Sequence, residues 1–276
     1  MAEALPPAGH LIPPAALALV PGAAQGPPLR IEPLRGGSVN EVWRVDTAEG
    51  RFVLRLDGPD WRRPGVERWR ELQLHSVAAA AGLAPRIIAK SAALDAWVCE
   101  FLPGRCWTPQ DYADPAQLQR LGERLAQLHR LPPPAVASFD PVSIAHGYIG
   151  GREPPDTDTT RRVLRLLRKI QRADAALAAE RQPGVIVHGD PVHGNILDGE
   201  RLWLLDWEYA QLADPVFDVA AVLAYYPAAR AAQAVLLEAA QLSPRVAALE
   251  AAVIIHHALG ELWLYARGEP LPPVAE

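Results

Sequence analysis

The spacing of hydrophobic residues differs between the beginning of the chain and the rest of it. Polar and apolar residues alternate over Arg51–Leu56, which is the period of a β-strand with one buried face. Farther along, leucines recur every three or four residues from Leu118 to Leu128, and this spacing predicts an amphipathic helix. The preceding Asp114-Pro115 supplies a cap and a first-turn proline. The pattern predicts an α+β chain, β-rich at first and then mainly helical.

Further helices are predicted from apolar periodicity and from proline and aspartate start signals. Their expected ranges are 66–81, 161–180, 214–226, 229–241 and 245–267. The proline-rich stretches at 132–135 and 153–155 are short, so they are expected to connect neighbouring elements and not to separate domains.

A buried strand and a hairpin are predicted around residues 185–205. Val185–Val187 is β-branched and is followed by Gly189, so the strand should end there and place Asp190 on a loop. Beyond this loop, residues 195–197 and 201–205 flank an Asp-Gly pair that favours a tight turn. Pairing of these strands would bring Asp206 back beside Asp190.

The polar residues of this region have the spacing of a phosphotransfer site. Four residues separate Asp190 from Asn195, which lets the Asp accept a proton from a substrate hydroxyl while the Asn of the same loop binds Mg²⁺. Asp206 would supply the second metal ligand, and such oxygen ligands suit Mg²⁺. We therefore expect Asp190 to be catalytic and ATP and Mg²⁺ to be the cofactors.

Two alternatives to a phosphotransfer site remain open. A metallohydrolase could use His188, Asp190, His193 and Asp206, but imidazole-rich zinc sites usually contain further histidines, and Asn195 would have no role. We expect His188 instead to hold the loop by hydrogen bonds. A nucleotide-binding module without catalytic activity is the second alternative, and the intact Asp and Asn positions argue against it.

Length and charge limit the other possibilities. The chain has 276 residues, 50% of them hydrophobic, and a net charge of −5, which gives no overall attraction to nucleic acid. The apolar run from Leu11 to Val20 contains Pro13 and Pro14 and follows no Lys or Arg. This argues against a secretory signal or a membrane span, so a cytoplasmic protein without nucleic-acid or membrane partners is expected. Nothing in the sequence predicts the oligomeric state.

With these motifs, the chain resembles the small-molecule kinases that include aminoglycoside phosphotransferases, choline kinases and thiamine kinases. Residues 205–210 (Leu-Asp-Trp-Glu-Tyr-Ala) and 214–218 (Asp-Pro-Val-Phe-Asp) are most similar to the choline and thiamine kinase branch. The resemblance implies a protein-kinase-like fold with a small β-rich N-lobe, residues 1–102, and a larger helical C-lobe, residues 103–276. In that setting Asp214 would cap a helix and Asp218 would brace the catalytic loop.

The resemblance also implies which N-lobe residues contact the nucleotide. Gly36, Gly37, Ser38 and Asn40 lie between two predicted strands, where backbone amides could approach ATP phosphates closely. Arg55 stands where protein kinases carry a phosphate-binding Lys, and a guanidinium can also bind phosphate oxygens.

Two further nucleotide contacts follow from the same resemblance. Glu71 lies eleven residues before Gly82, a position similar to that of the helix Glu in this family, and it is the expected partner of Arg55. Adenine would bind at an interlobe hinge near Glu100 and Leu102, mainly through backbone groups.

The acceptor is expected to be a hydroxyl group of a small molecule. Asp218 follows Asp206 by only twelve residues, too few for the activation segment of a regulated protein kinase. Trp207, Glu208 and Trp263 are the candidate acceptor contacts, because ring faces and carboxylates attract cations. The resemblance favours a cationic alcohol, thiamine first and then choline or ethanolamine, and an aminoglycoside or sugar phosphotransferase is the alternative.

Overall fold

The N-lobe is built on an antiparallel sheet of five strands in the order β1-β2-β3-β5-β4. The computed structural model describes residues 12–34, 40–59, 62–242 and 245–273. A short helix, α1 (Pro14–Leu17), precedes the sheet. The strands are β1 (Arg30–Pro33), β2 (Glu41–Thr47), β3 (Gly50–Leu56), β4 (Ile87–Lys90) and β5 (Ala96–Glu100).

The alternating sequence of β3 gives the sheet one apolar face and one face that carries Arg55. The apolar face is buried and includes Val45, Phe52, Leu54, Leu56 and Val98. Successive side chains of a strand point to opposite faces, so Arg55 lies on the other side, opposite Trp97 of β5. Helix α2 (Arg68–Ala80) packs there through Leu72, which contacts Trp97 and Cys99. The strand therefore carries Arg55 toward α2.

The C-lobe is mainly helical, which confirms the predicted α+β class. Its α-helices are α3 (Pro115–His129), α4 (Pro141–Gly150), α5 (Thr157–Ala178), α6 (Val216–Tyr225), α7 (Gln233–Ala239) and α8 (Val246–Ala266). The leucines of α3 from Leu118 to Leu128 are fully buried, as their spacing predicts. Asp114 caps this helix by accepting a hydrogen bond from the Ala116 amide at 2.9 Å.

Two small sheets in the C-lobe carry the polar segments of the predicted site. Strand β7 (Val185–Val187) pairs with β10 (Gln211–Ala213), and β6 (Arg105–Cys106) pairs with β8 (Ile196–Asp198), which pairs with β9 (Leu202–Leu204). Strands β8 and β9 form the predicted hairpin, in which the Gly199 amide donates to the Arg201 carbonyl at 3.1 Å. The loop after β7 and the segment after β9 therefore lie side by side.

Helix α8 is long and apolar enough to cross a membrane, judged by length and composition alone. In the fold it packs against α4, α5 and α6, and Ala252, Ile255 and Leu262 on it are fully buried. Because α8 packs on several sides, its apolar composition is that of a core helix.

Helix α4 is an element that the sequence pattern does not predict. Gly147 and Gly150 lower its helix propensity. Its start nevertheless resembles that of α3, because Asp140 accepts hydrogen bonds from the Val142 and Ser143 amides, each at 3.0 Å. Gly147 also has a packing role: a Cβ there would lie 2.7 Å from the Cβ of Pro64 in the N-lobe. The helix thus provides a surface on which the two lobes meet.

Candidate active site

The catalytic loop, residues 188–195, begins where β7 ends. Gly189 has a φ of +79°, a left-handed conformation that glycine adopts without strain. A Cβ at this position would lie 2.4 Å from the backbone oxygen of Tyr209. Both conformation and space therefore require glycine at this turn, which directs the chain into Asp190.

A buried carboxylate, Asp218 of α6, fixes the start of the loop. Its oxygens accept hydrogen bonds from the backbone amides of His188 at 3.1 Å and Gly189 at 2.8 Å. Nε2 of His129 lies 2.9 Å from the same carboxylate. Burial opposes the charge of Asp218, but the hydrogen bond and charge of His129 hold its pKa below the usual value. Asp218 thus occupies the bracing position predicted for it.

His188 holds the loop from the inside and is fully buried. Its Nε2 lies 2.8 Å from the Leu205 carbonyl, to which it donates, while its Nδ1 accepts from the Asp190 amide at 3.3 Å. Burial lowers the pKa of His188, which favours this neutral tautomer. Both ring nitrogens are occupied by backbone groups, so this histidine is not available as a metal ligand.

Two stacked tyrosines support the middle of the loop. The rings of Tyr112 and Tyr226 are 3.7 Å apart and nearly parallel. The Tyr112 hydroxyl donates to the Pro191 carbonyl at 2.6 Å, and the Tyr226 hydroxyl accepts from the His193 amide at 2.9 Å. The ring nitrogen Nδ1 of His193 lies 2.7 Å from the same hydroxyl. Aromatic packing and backbone hydrogen bonds therefore restrict the loop on a second side.

Asp190, Asn195 and Asp206 meet at one end of the small sheets. The Asn195 amide nitrogen donates to the Asp190 carbonyl and to its carboxylate, both at 3.0 Å. This orientation leaves the amide oxygen for another partner. Burial, followed by the charges of Asp206 and Glu208, raises the pKa of Asp190 to about 7. Negative charge is thus crowded at this point of the structure.

The surroundings of Asp206 suit a divalent cation. Its backbone has a φ of +55°, and its Oδ1 is buried without a hydrogen-bond partner among the described residues. Nη2 of Arg55 lies 3.9 Å from this oxygen. Burial raises the pKa of Asp206, and a cation would favour its charged form. Oxygens of Asp206 and Asn195 match the hard ligands that Mg²⁺ prefers.

Buried charges from both lobes meet beside Asp206. We call Arg55, Arg63, Arg68, Glu71 and Glu208 the interlobe cluster. Arg55 Nη1 donates to Glu71 Oε1 at 2.7 Å, as expected for the predicted pair. Glu208 of the C-lobe accepts from Arg63 Nη2 at 2.8 Å and from Arg55 Nη2 at 3.3 Å. The cluster therefore joins the two lobes through buried ion pairs.

The comparison with protein families decides the class of this protein. A model described as the phosphotransferase enzyme family matches residues 30–252. The chain belongs to this family. No curated protein matches the chain.

Solved structures agree with this assignment to the phosphotransferase enzyme family. A choline/ethanolamine kinase family protein from Mesorhizobium loti is 26% identical, with a TM-score of 0.74 over 94% of this chain and 87% of that chain. Choline kinase LicA from Streptococcus pneumoniae is 17% identical, with a TM-score of 0.75 over 89% and 88%. An aminoglycoside phosphotransferase from Alicyclobacillus acidocaldarius is 16% identical, with a TM-score of 0.57 over 95% and 88%. The protein-kinase-like fold predicted from the sequence is confirmed.

Of the four residues predicted to form the nucleotide loop, the structure describes only Asn40. Gly36, Gly37 and Ser38 lie outside the described residues. The side chain of Asn40 is occupied at both ends: its nitrogen donates to Glu208 at 3.0 Å, and its oxygen accepts from Arg68 at 2.9 Å. A nucleotide contact through this side chain would have to replace one of these hydrogen bonds.

Of the two residues predicted at the adenine hinge, Glu100 is the last residue of β5, and Leu102 lies in the segment that follows it. Glu100 turns its carboxylate to the Arg86 amide, from which it accepts at 2.8 Å. Leu102 is partly buried in the connecting segment. This arrangement is compatible with the prediction that backbone groups, and not the Glu100 side chain, contact adenine.

The three predicted acceptor contacts are placed very differently. Trp207 is fully buried, packs against His75 and His188, and donates to the Leu204 carbonyl at 3.0 Å. Its ring belongs to the core, so the expected contact with an acceptor is corrected. Glu208 is 6% exposed and faces the interlobe cluster. Trp263 of α8 is partly buried, and its indole nitrogen has no partner among the described residues.

Several residues of the site cannot be found from local sequence patterns. His129 lies 89 positions from its partner Asp218, and Tyr112 reaches the catalytic loop from a separate element. Arg63 is similar, because its partner Glu208 is 145 positions away. A cavity of about 690 Å³ lies between α5 and the end of α8, and none of the predicted site residues lines it.

Proposed function

We propose that the protein is an ATP-dependent kinase that transfers the γ-phosphoryl group to a hydroxyl of a small molecule. The observation that carries this proposal is the convergence of Asp190, Asn195 and Asp206 on a braced loop, in a chain that belongs to the phosphotransferase family. Phosphoryl transfer depends mainly on positioning and electrostatic stabilisation. A rigid loop with converging oxygen ligands provides both.

The nucleotide would lie between the lobes, with its phosphates toward Arg55. Glu71 holds this guanidinium at 2.7 Å, and the ring of Trp97 lies 4.0 Å from it, so its direction is fixed before ATP arrives. Asn195 and Asp206 would hold Mg²⁺, which neutralises charge on the transferring phosphate. Choline kinase LicA is also known in complex with AMP, which supports a nucleotide site in this fold.

Asp190 would align the acceptor hydroxyl and accept its proton. Its carboxylate lies next to Asn195, and the loop that carries it is fixed by Asp218 and His188. A loose transition state requires little base strength, so the position of the carboxylate matters more than its basicity. With both ring nitrogens of His188 occupied, the metallohydrolase alternative loses its first zinc ligand.

The acceptor implied by the resemblance is a cationic alcohol, thiamine first and then choline or ethanolamine. The choline and ethanolamine kinases among the similar structures support this class. An aminoglycoside or a sugar is the second candidate. The position of Arg63 beside Glu208 favours the sugar, because an aminoglycoside would bring ammonium groups to a carboxylate that already has a cation. We expect the reaction to take place in the cytoplasm.

Turnover of MgATP with a panel of acceptors tests the proposed function. ADP and phosphorylated product should form with at least one of thiamine, choline, ethanolamine, an aminoglycoside or a sugar, and chelation of Mg²⁺ should stop the reaction. Nucleotide binding without any product would support the non-catalytic alternative. Stoichiometric zinc in the purified protein, together with ester hydrolysis in the absence of ATP, would establish the metallohydrolase instead.

A further inference from the structure

Residues 62–67, which precede α2, lie against the C-lobe beside Glu208. Pro64 lies against Gly147 of α4 so closely that a Cβ on this glycine would be 2.7 Å from the Pro64 ring. A Cβ on Gly65 would lie 3.1 Å from the Ile144 side chain. These contacts attach residues 64–65 to the C-lobe, and the side chain of the preceding Arg63 reaches Glu208 of that lobe.

Arg63 occupies the place where a cationic acceptor would be expected to bind. Its side chain is 9% exposed, and Nη2 donates to Glu208 Oε1 at 2.8 Å. Its guanidinium carbon lies 5.8 Å from the ring centres of both Tyr209 and Trp263, within the range of cation–π attraction. A carboxylate and two aromatic rings are the groups that bind an ammonium ion, and here the chain supplies its own cation to them.

Tyr209 connects Arg63 to the catalytic loop. The backbone oxygen of Tyr209 lies against Gly189, the neighbour of Asp190, because a Cβ on that glycine would be 2.4 Å from it. The guanidinium of Arg63, 5.8 Å from the Tyr209 ring centre, therefore lies near the residue that contacts the start of the loop. This places the guanidinium on the acceptor side of the site, while Arg55 lies on the metal side.

Three hydrogen-bond donors on Arg63 and Trp263 are left unpaired by the residues that the structure describes. Within the described parts of the chain, Nε and Nη1 of Arg63 are buried without a partner, and so is the indole nitrogen of Trp263. Buried polar groups are nearly always hydrogen-bonded in folded proteins. Donors can be satisfied by oxygen atoms of a bound molecule, whereas a quaternary ammonium offers no acceptor at all.

We propose that Arg63 selects the acceptor, and that this acceptor presents oxygen atoms to Nε and Nη1 of Arg63 in place of an ammonium group. The inference rests on the proposed kinase function, and it replaces the cationic alcohol that the resemblance implies by an acceptor rich in oxygen atoms. A neutral polyol and a hydroxy acid share the required chemistry. A simple quaternary ammonium alcohol is disfavoured, because its charge would have to displace Arg63 from Glu208.

Acceptor ranking in the wild type and in Arg63→Met tests this role. The acceptors are glucose as the neutral polyol, glycerate as the hydroxy acid, choline, and the uncharged carbon isostere of choline. In the wild type, kcat/KM should be highest for glucose or glycerate. A higher value for glucose indicates that the site recognises a neutral acceptor, and a higher value for glycerate indicates an anionic one. Arg63→Met should lower that value about 10- to 100-fold, the loss expected for hydrogen bonds from a charged group, and should raise the ratio of choline to its isostere.

Three controls separate selection from a folding defect. Arg63→Lys keeps the charge and should restore part of the preference. Arg267→Met removes another arginine near the Trp263 ring, whose guanidinium carbon lies 4.7 Å from the ring centre, and should leave the ranking unchanged. Equilibrium binding of the same acceptors in the presence of MgADP gives the ranking even without product formation.

The outcomes for Arg63 and for the kinase function are distinct. If the wild type has its highest kcat/KM or its tightest binding for choline, and Arg63→Met shows the same ranking, the proposed role of Arg63 is overturned. The kinase function is then intact. Failure to bind MgADP contradicts the kinase function, and acceptor binding measured without nucleotide then decides the role of Arg63 by the same ranking.

Discussion

The catalytic loop and the interlobe cluster are neighbours, but they are stabilised in different ways. The loop is held within one lobe by backbone hydrogen bonds to Asp218 and His188 and by the tyrosine pair. The cluster joins side chains of two lobes through hydrogen-bonded ion pairs, and Nε and Nη1 of Arg63 are left unpaired within the described residues. The backbone of the loop is thus fixed without a ligand, whereas the cluster still has donors without a partner.

This difference corresponds to two tasks, the positioning of reacting groups and the recognition of the acceptor. A site that stabilises a transition state benefits from groups fixed before the substrate arrives, because they need not reorganise during the reaction. Recognition of a ligand, in contrast, uses polar groups whose bonding is completed by that ligand. The loop with Asp190 therefore suits the chemical step, and the cluster with Arg63 suits the choice of acceptor.

Asp190→Ala tests whether the loop is rigid independently of its catalytic carboxylate. Turnover should fall by about 10³- to 10⁴-fold, because alignment of the hydroxyl and proton acceptance are both lost. MgATP affinity should change little, since His188 still accepts from the Asp190 amide, and Asn195, which loses its bond to the carboxylate, still donates to the Asp190 carbonyl. Single-turnover kinetics and nucleotide titration measure the two effects. Wild-type turnover in the mutant would remove Asp190 from its assigned role.

Asp206→Asn tests the proposed Mg²⁺ ligand, which lies between the catalytic loop and the interlobe cluster. The substitution removes a negative charge at the proposed Mg²⁺ position, and turnover should fall by about 10²- to 10³-fold, the equivalent of several kcal/mol of charge stabilisation. The apparent Mg²⁺ requirement, measured by metal titration of activity, should shift to higher concentration. An unchanged Mg²⁺ dependence would place the metal on other residues.

Gly189→Ala tests whether the loop depends on its left-handed turn. The left-handed backbone and the contact with the Tyr209 carbonyl should together cost about 2–5 kcal/mol, which lowers the melting temperature by about 5–15 °C. Gly194→Ala is the matched control, because open space surrounds that glycine, and its stability should stay within about 0.5 kcal/mol of wild type. Equal melting temperatures for both variants would show that the turn is not constrained.

Local signals in the sequence predict most of the fold. The alternation in β3, the leucine spacing in α3 and the Asp-Gly turn between β8 and β9 each specify an element by themselves. Helix α4 escapes prediction because its glycines lower helix propensity. Gly147 is explained only by its contact with Pro64 of the other lobe, and such a contact has no local signature.

The residues of the site also fall into those with a local sequence signal and those that depend on distant contacts. Asp190, Asn195 and Asp206 can be predicted because they lie within one short stretch around a hairpin. Glu208 and Arg63 cannot be paired from the sequence, since 145 positions separate them. The burial of Trp207 also cannot be inferred from its position beside a predicted metal ligand. Trp207 follows Asp206 directly, yet its ring lies in the core after the left-handed turn at Asp206.

Trp207→Leu has the smallest expected effect on acceptor choice. It tests whether the Trp207 ring belongs to the core or contacts the acceptor. Loss of the ring between His75 and His188 should destabilise the fold by about 1–3 kcal/mol, as for other reductions of a buried side chain. Because the ring is fully buried, kcat/KM should change equally for choline and for its uncharged isostere. Steady-state kinetics with both acceptors, below the melting transition, measures the ratio. A selective loss for choline would mean that Trp207 reaches the acceptor after a rearrangement of the loop, and the catalytic loop would then be less rigid than its hydrogen bonds imply.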